Sequence, residues 1–339
     1  MKIQKERNVE IVCTGSAVGK NIIYFDSSSE KIVAEKLQSN RNIYTRYRIS
    51  EGEDQITLAI EAIEDAFRKT SKLSIEDIDC IVVASAVGYQ PLPTTSAKIL
   101  EELSKKYKLK RAVSTKDINT SCTSFLDAFD DAAMSINFGK YENVLIVSSE
   151  LASLGLSTDN MHSFSMFSDG AAAIVVTKSE EYCIGFHYAR TWPGTYDLTK
   201  IEGGLTKYLP SKFDGTNHEK YRFQMEGNKL IKLIKKEFVP MIKEILELEK
   251  LDINDIDYVI PHQASKALKL FMRNLGIKKD QFCDIFEDYG NMVAASIPFT
   301  LNHAYESNYL KGKDTVLLIG TSAGTSGHIL LYKKSIRYR

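Results

Sequence analysis

The sequence carries the same pattern twice. LSIEDIDCIVVASA, beginning at Leu73, returns as LDINDIDYVIPHQA, beginning at Leu251. GKYENVLIVSSE, beginning at Gly139, returns as GKDTVLLIGTSAG, beginning at Gly312, in the same order and at nearly the same offset. The repeat is too long for a solenoid, whose units run to about 20–50 residues. It predicts two similarly folded halves, 1–178 and 179–339. Ile81–Ala84, Val144–Val147, Ala173–Val176 and Val316–Ile319 are apolar runs without alternation, the pattern of strands covered on both faces. An α/β fold with helices on each side of its sheet follows.

Helical spacing supports this. Ile56, Ala59, Ile60, Ile63 and Phe67 share one helical face, and an amphipathic pattern runs from Lys229 to Glu249, with a bend expected at Pro240. No Gly/Ser-rich or Pro-rich linker separates the halves, so they are expected to pack as one body. With 339 residues, 43% hydrophobic and 26% charged, the chain can bury its core without disulfides or metals.

Lys plus Arg and Asp plus Glu both number 44, so no net field favours nucleic acid or an anionic membrane, and neither partner is expected. No apolar run is long enough to cross a bilayer, and MKIQKERNVEIVCTGSAVG lacks the continuous apolar stretch of a secretory signal. Cys13, Cys80, Cys122, Cys183 and Cys283 are odd in number and form no CxxC pair, which fits free thiols in a reducing, cytoplasmic setting.

After Ile118, apolar side chains recur at Cys122, Phe125, Leu126, Phe129, Ala132, Ala133 and Ile136, and the spacing ends at Gly139, a C-terminal cap signal. Cys122 is thereby expected in the first turn of a helix. There the helix dipole and free N–H groups favour its thiolate, and its own N–H can face an oxyanion. Taken alone, such a residue also reads as a small buried thiol. His262, in VIPHQA, stands where a buried strand ends, before the helical pattern Ala264, Ala267, Leu268, Phe271; ligands bind at such strand ends in open α/β sheets. Asn291 follows Gly290 in a turn before Ala294-Ala295-Ser296. His162, His187, His218, His303 and His328 receive no role, and no metal or organic cofactor is expected.

NTSCTSF around Cys122, IPHQA around His262, and YGN with AASIP around Asn291 resemble, in order and spacing, the three active-site motifs of β-ketoacyl-acyl-carrier-protein synthase III. VVASAVGYQPLP near Val82, FSDGAAA near Phe167 and MEGN near Met225 extend the likeness over nearly the whole chain. The resemblance implies a duplicated thiolase fold in five layers, α/β/α/β/α. The nucleophilic cysteine falls in the first half, and the histidine and asparagine in the second.

The resemblance also implies roles. Cys122 takes an acyl group from acyl-CoA or an acyl carrier protein; His262 and Asn291 hold the thioester oxygen of a malonyl extender; a decarboxylative condensation follows. Main-chain N–H groups of Cys122 and Ala323 would form the oxyanion hole, and Leu92, Met225 and Asn228 would line substrate. A homodimer is implied, with a heterodimer the alternative, and Leu92 would reach the partner's acyl pocket.

Several positions depart from the family pattern. Gly320-Thr321-Ser322-Ala323-Gly324-Thr325-Ser326-Gly327 replaces a glycine triplet, and the single Trp192 does not stand where relatives stack the adenine of coenzyme A. Ala267 replaces an arginine used to dock the carrier, leaving Lys266, Lys269 and Arg273 as substitutes. Met292 and Val293 make the cavity more apolar. These changes point to a specialised fatty-acid or polyketide-type pathway. Rival readings are an acyltransferase to an alcohol or amine, a scaffold subunit, a papain-like protease, and a hydrolase on Gly320-Thr321-Ser322-Ala323-Gly324. The hydrolase motif requires a strand, a sharp turn and then a helix.

Overall fold

The computed structural model describes residues 4–26, 31–33 and 43–335. Strand β1 (Arg7–Val18) is followed by a small sheet of β2 (Asn21–Asp26), β3 (Ile32–Val33) and β4 (Ile43–Arg48). Helix α1 (Gln55–Arg68) starts at Asp54, whose carboxylate accepts from the N–H groups of Ile56 and Thr57 while Thr57 Oγ1 accepts from the Asp54 N–H. That reciprocal cap fixes its first turn. Then come β5 (Cys80–Ala84), α2 (Thr95–Tyr107), β6 (Ser114–Ile118), α3 (Ser124–Asn137), β7 (Asn143–Leu151), α4 (Met161–Phe164) and the long β8 (Asp169–Thr191). The remainder comprises β9 (Thr199–Lys200), β10 (Gln224–Met225), α5 (Gly227–Leu233), α6 (Val239–Leu248), β11 (Tyr258–Pro261), α7 (Leu268–Leu275), α8 (Phe286–Tyr289), α9 (Ser296–Glu306), β12 (Thr315–Ser322) and β13 (Ser326–Lys334).

Strands run in the order β6-β5-β7-β8-β13-β12-β11, with β1 also on β8. β5 is parallel to β6 and β7, and β11 is parallel to β12; β7 meets β8, and β12 meets β13, antiparallel. Residues 170–177 of β8 lie between β7 and β1, whereas residues 182–191 pair with β13. The boundary read between 178 and 179 falls inside this strand, at the register shift where Val9 pairs with Lys178 and Asn8 with Cys183. The echoed segments take matching forms. Ile75–Asp77 and Ile253–Asp255 are both single 3-10 turns with a capping box, leading into β5 and β11.

The central strands divide their side chains between two helical layers. Val82, Ala84, Val144 and Ile146 face Phe125, Phe129 and Ala132 of α3, in one core that also contains Ile297 and Leu301 of α9 and Ile260 and Leu318 of β11 and β12. The alternate residues Ile81, Val83, Leu145 and Val147 pack on Leu58 and Ile63 of α1 and Ile99 and Leu103 of α2. Val259, Leu317 and Ile319 pack on Ile242 and Ile245 of α6 and Met272 and Leu275 of α7. The result is five layers, α/β/α/β/α, with α3 and α9 at the centre. Each fully buried aliphatic side chain contributes about 1.5–3 kcal/mol relative to exposure, so the central layer couples both β layers strongly.

The helix expected over 229–249 is irregular just ahead of Pro240. Helix runs from Gly227 to Leu248, but Ile234–Phe238 widens into a π turn in which Val239 N–H bonds Ile234 O, just ahead of the proline that lacks a donor. Gly139 caps α3 as expected, at φ 79° with its N–H on Ile136 O at 3.0 Å.

Helix α1 lies directly on the backbone of β1: a Cβ at Gly15 would stand 2.2 Å from Ala66 N and 2.3 Å from Ala62 O. Gly15→Ala is therefore expected to destabilise the protein by about 1–3 kcal/mol, the usual cost of overpacking. Denaturant unfolding checks this; an unchanged midpoint would show that α1 does not pack as described.

Candidate active site

The turn between β6 and α3 is built from its own side chains. Asn119 Oδ1 accepts from Ser121 N at 2.9 Å; Ser124 Oγ accepts from Thr120 N at 2.9 Å and donates to Ser121 O at 2.6 Å. Ser121 adopts φ 55°, and α3 begins at Ser124 with Thr123 as N-cap. Cys122 thus sits one residue ahead of the cap rather than in the first turn, because these bonds tighten the entry before helical geometry starts.

Its thiol is not a thiolate at rest. Burial of the sulfur, followed by the nearby Glu150 carboxyl, pushes it up to about 12, although the N–H groups of Ala323 and of Cys122 itself face it and act in the opposite sense. A helix end is worth about 0.3–1 kcal/mol, less than one pKa unit, whereas burial moves a group by up to about 3–5 units. Desolvation wins, and the expectation of a dipole-stabilised thiolate is corrected.

Glu150 is the one charged residue of β7, next to its last position, and is 2% exposed. Its Oε1 accepts from Ala86 N at 2.5 Å. Burial pushes its carboxyl up to about 8 despite N–H groups from Ala86, Ala294 and Val87. Glu150 receives no role in the sequence analysis; the available signal was a lone acid near the end of a strand buried on both faces.

His262 directly follows β11, with its main-chain N–H donating to Ile319 O at 2.8 Å. The loop continues to Ala267, and helix α7 starts at Leu268 rather than near Ala264. Buried Gln263 anchors this loop: its side-chain N–H groups reach Pro261 O at 3.2 Å and Cys283 O at 3.0 Å, and its Oε1 accepts from Ile285 N at 3.2 Å. Burial pulls the His262 imidazole down to about 4, so it is neutral at neutral pH. Its Nε2 lies 3.2 Å from Asn291 Oδ1.

Asn291 is held from several sides. Its N–H donates to Met166 O and its carbonyl accepts from Ser168 N, both at 2.9 Å, while Oδ1 accepts from Val293 N at 2.8 Å and Nδ2 donates to Ala264 O at 3.3 Å. Gly290 before it has φ 71°, and a Cβ there would stand 2.6 Å from Arg46 Nε. Arg46, fully buried, donates to Ser165 O at 2.6 Å, Phe286 O at 3.0 Å and Glu287 O at 3.2 Å, tying together the two loops that flank Asn291. Burial lowers its guanidinium to about 9.

These parts converge at the end of β12. A Cβ on Gly320 would lie 3.1 Å from Thr123 Cγ2 and 3.2 Å from His262 Cβ, so the turn carrying Cys122 and the loop carrying His262 meet across this glycine. Ala323 tops the short β12–β13 hairpin and directs its N–H to the Cys122 sulfur.

Residues 116–190 match the family described as 3-oxoacyl-[acyl-carrier-protein (ACP)] synthase III, and residues 246–334 match its C-terminal counterpart. The chain is 32% identical over 330 residues to β-ketoacyl-[acyl-carrier-protein] synthase III of Clostridium perfringens strain SM101, covering 96% of this chain and 99% of that one. The chain belongs to the β-ketoacyl-acyl-carrier-protein synthase III family. A crystal structure of the Aquifex aeolicus 3-oxoacyl-[acyl-carrier-protein] synthase III superposes with TM-score 0.80 at 26% identity, covering 96% of this chain and 99% of that one. OleA of Xanthomonas campestris shares the fold at TM-score 0.78 and 18% identity, covering 98% of this chain and 100% of that one. The fold is the thiolase fold, and the protein is an enzyme of a transferase family.

The remaining positions singled out in the sequence are dispersed around this centre. Met225 packs with Leu156, Met166, Phe167 and Phe286 beside the Asn291 loop, whereas Asn228 is exposed at the start of α5. Leu92 is 83% exposed ahead of α2. Met292 is 1% exposed in the central core, and Val293 is held at φ 52°, a strained conformation for a β-branched residue. Trp192 packs on Phe238 in the outer core of the second half. Lys269 is paired with Glu287 at 2.8 Å and Asp284 at 3.5 Å. The Gly320–Gly324 segment turns from strand to strand, so it forms no nucleophile elbow. Among the described residues no helix is long and apolar enough to cross a membrane.

Because Glu150 has its folded pKa above its unfolded one, its neutral form contributes stability that is full below the unfolded value of about 4.3 and is lost as pH rises through about 8. Glu150→Gln keeps the neutral shape and removes the titration. Thermal melts from about pH 5 to about pH 9 should show the variant gaining on the parent as pH rises. A difference independent of pH would mean that Glu150 is ionised throughout.

Proposed function

We propose that the protein catalyses a decarboxylative Claisen condensation between an acyl thioester primer, carried as acyl-Cys122, and a malonyl thioester. The observation that carries this reading is the neutral His262–Asn291 pair, whose loop meets across Gly320 the turn bearing a thiol with two main-chain N–H groups aimed at it. Attack by the Cys122 sulfur expels the carrier thiol and leaves a thioester on the enzyme, dividing one difficult step into two. The tetrahedral oxyanion would sit against the N–H groups of Cys122 and Ala323.

In the second step an incoming malonyl thioester oxygen takes the imidazole and amide N–H donors that Asn291 Oδ1 and Ala264 O occupy in the free enzyme. Loss of carbon dioxide leaves an enolate, which neutral donors stabilise without an acidic proton to quench it. Its carbon attacks acyl-Cys122, the thiolate leaves, and a β-ketoacyl thioester results.

On this reading the site lies at the junction of the two halves, 1–178 and 179–339. Met225 faces substrate through the apolar cluster beside Asn291, Asn228 meets it at the rim, and exposed Leu92 reaches the acyl pocket of the second copy in a homodimer. The primer arrives on coenzyme A or on acyl carrier protein, and names such as that of the Clostridium perfringens relative favour a carrier-protein partner. The core position of Trp192 and the ion-paired Lys269 support a specialised fatty-acid or polyketide-type pathway.

Carbon dioxide release from a malonyl thioester, measured with a panel of acyl thioesters, tests the reaction. One carbon dioxide per β-ketoacyl product is expected. Acyl transfer to an added alcohol or amine with no carbon dioxide would replace condensation with plain acyl transfer.

A further inference from the structure

On the face of α3 away from the central core, three side chains distant in sequence meet. Asp127 comes from α3, His187 from β8 and His328 from β13, with one ligand-capable atom of each within 4.8 Å of the others. His187 Nε2 lies 3.8 Å from Asp127 Oδ1, and His328 Nδ1 lies 3.5 Å from Asp127 Oδ2. The two rings stand 5.6 Å apart, centroid to centroid.

What singles out this cluster is how the outer nitrogens are held. His187 Nδ1 lies 3.4 Å from Asp130 Oδ2, and Asp130 is itself clamped by Arg7 at 2.7 Å. His328 Nε2 lies 3.2 Å from Ser326 Oγ, which meets Ser322 Oγ at 2.7 Å. When the outer nitrogens carry the protons, donating to Asp130 Oδ2 and Ser326 Oγ, a lone pair remains on His187 Nε2 and on His328 Nδ1. Neither atom has a hydrogen-bond partner among the described residues, although His187 is 9% and His328 4% exposed. Two buried lone pairs directed at a carboxylate are mutually repulsive unless a cation or a proton lies between them.

Tetrahedral zinc with nitrogen and oxygen ligands at about 2.0–2.2 Å holds those ligand atoms about 3.3–3.6 Å apart. The two nitrogens lie 3.8 and 3.5 Å from different Asp127 oxygens, close to that range, and the whole set, within 4.8 Å, must draw in by up to about an ångström and a half to close on one ion. Asp130 and Ser326 then occupy the places of the outer partners that orient metal-bound imidazoles. Asp127 and Asp130 outweigh Arg7 by one negative charge, and Asp127, 27% exposed at its side chain, leaves a way in and a fourth position for water.

We propose that Asp127, His187 and His328 form a binding site for a divalent transition-metal ion, zinc foremost, that cross-links α3, β8 and β13. The cluster shares no residue with the Cys122, His262 and Asn291 centre and the proposal does not depend on the condensation reading, although Asp127 Oδ2 also accepts from Thr120 Oγ1 in the turn that carries Cys122. It ties the helix that follows Cys122 to the strand that follows Ala323.

The test uses full-length protein carrying Cys122→Ser, so that the nucleophilic thiol does not compete. After chelator treatment, zinc is titrated against a chromophoric competitor, and cobalt(II) is titrated in parallel by visible absorption. One zinc per chain and the intense absorption of four-coordinate cobalt are expected. His328→Gln and Asp127→Asn, each in the same background, should weaken zinc affinity by at least about tenfold. In thermal melts zinc should raise the midpoint of the Cys122→Ser protein and lose that effect in Asp127→Asn, whose partly exposed side chain makes it the safer variant for folding. Absence of stoichiometric uptake at micromolar zinc, or equal uptake by a folded Asp127→Asn, would overturn the site and leave an Asp–His ion pair only.

Discussion

Everything at the proposed catalytic centre depends on a layer of helix shared by the two β layers that β8 joins. Phe125, Phe129 and Ala132 of α3 belong to the same buried core as Ile297 and Leu301 of α9, with strand residues of both halves closing on them. Neither β layer can shift without breaking that core. The ends of β6, β7, β11 and β12 are thereby fixed relative to one another, and Cys122, Glu150, His262 and Gly320 all sit at those ends. Asn291 is held to the same place by Arg46, Met166 and Ser168.

The electrostatics follow from dryness. Burial is the largest influence on Cys122, Glu150 and His262 alike, and in each case it favours the uncharged form. A centre of neutral donors and a neutral thiol suits chemistry in which charge develops transiently and must not be quenched. Arg46 is the exception, a buried cation surrounded by carbonyl oxygens and stacked against the Tyr44 and Phe286 rings, with centroids 5.0 Å and 4.7 Å away. It acts as a positioning residue for two loops.

Much of the architecture was legible because it is written in periodicity. Apolar runs without alternation announced strands covered twice, and each turned out to divide its residues between two helical layers. Ahead of Pro240, where a bend is expected, the helix carries a π turn, a detail below the resolution of a sequence pattern. The thiolate was misread because helix spacing shows where a dipole points but not how deeply the sulfur is buried. Glu150 and Arg46 escaped notice because their roles come from chain segments far away in sequence, as with Asp127, His187 and His328. Local pattern has no access to such meetings.

Intact-protein mass spectrometry after exposure to a panel of acyl thioesters tests the central claim most directly. With at least one primer, a single acyl group per chain should appear, map to Cys122 and vanish in Cys122→Ala. An adduct that persists in Cys122→Ala, or none with any primer, would contradict the account.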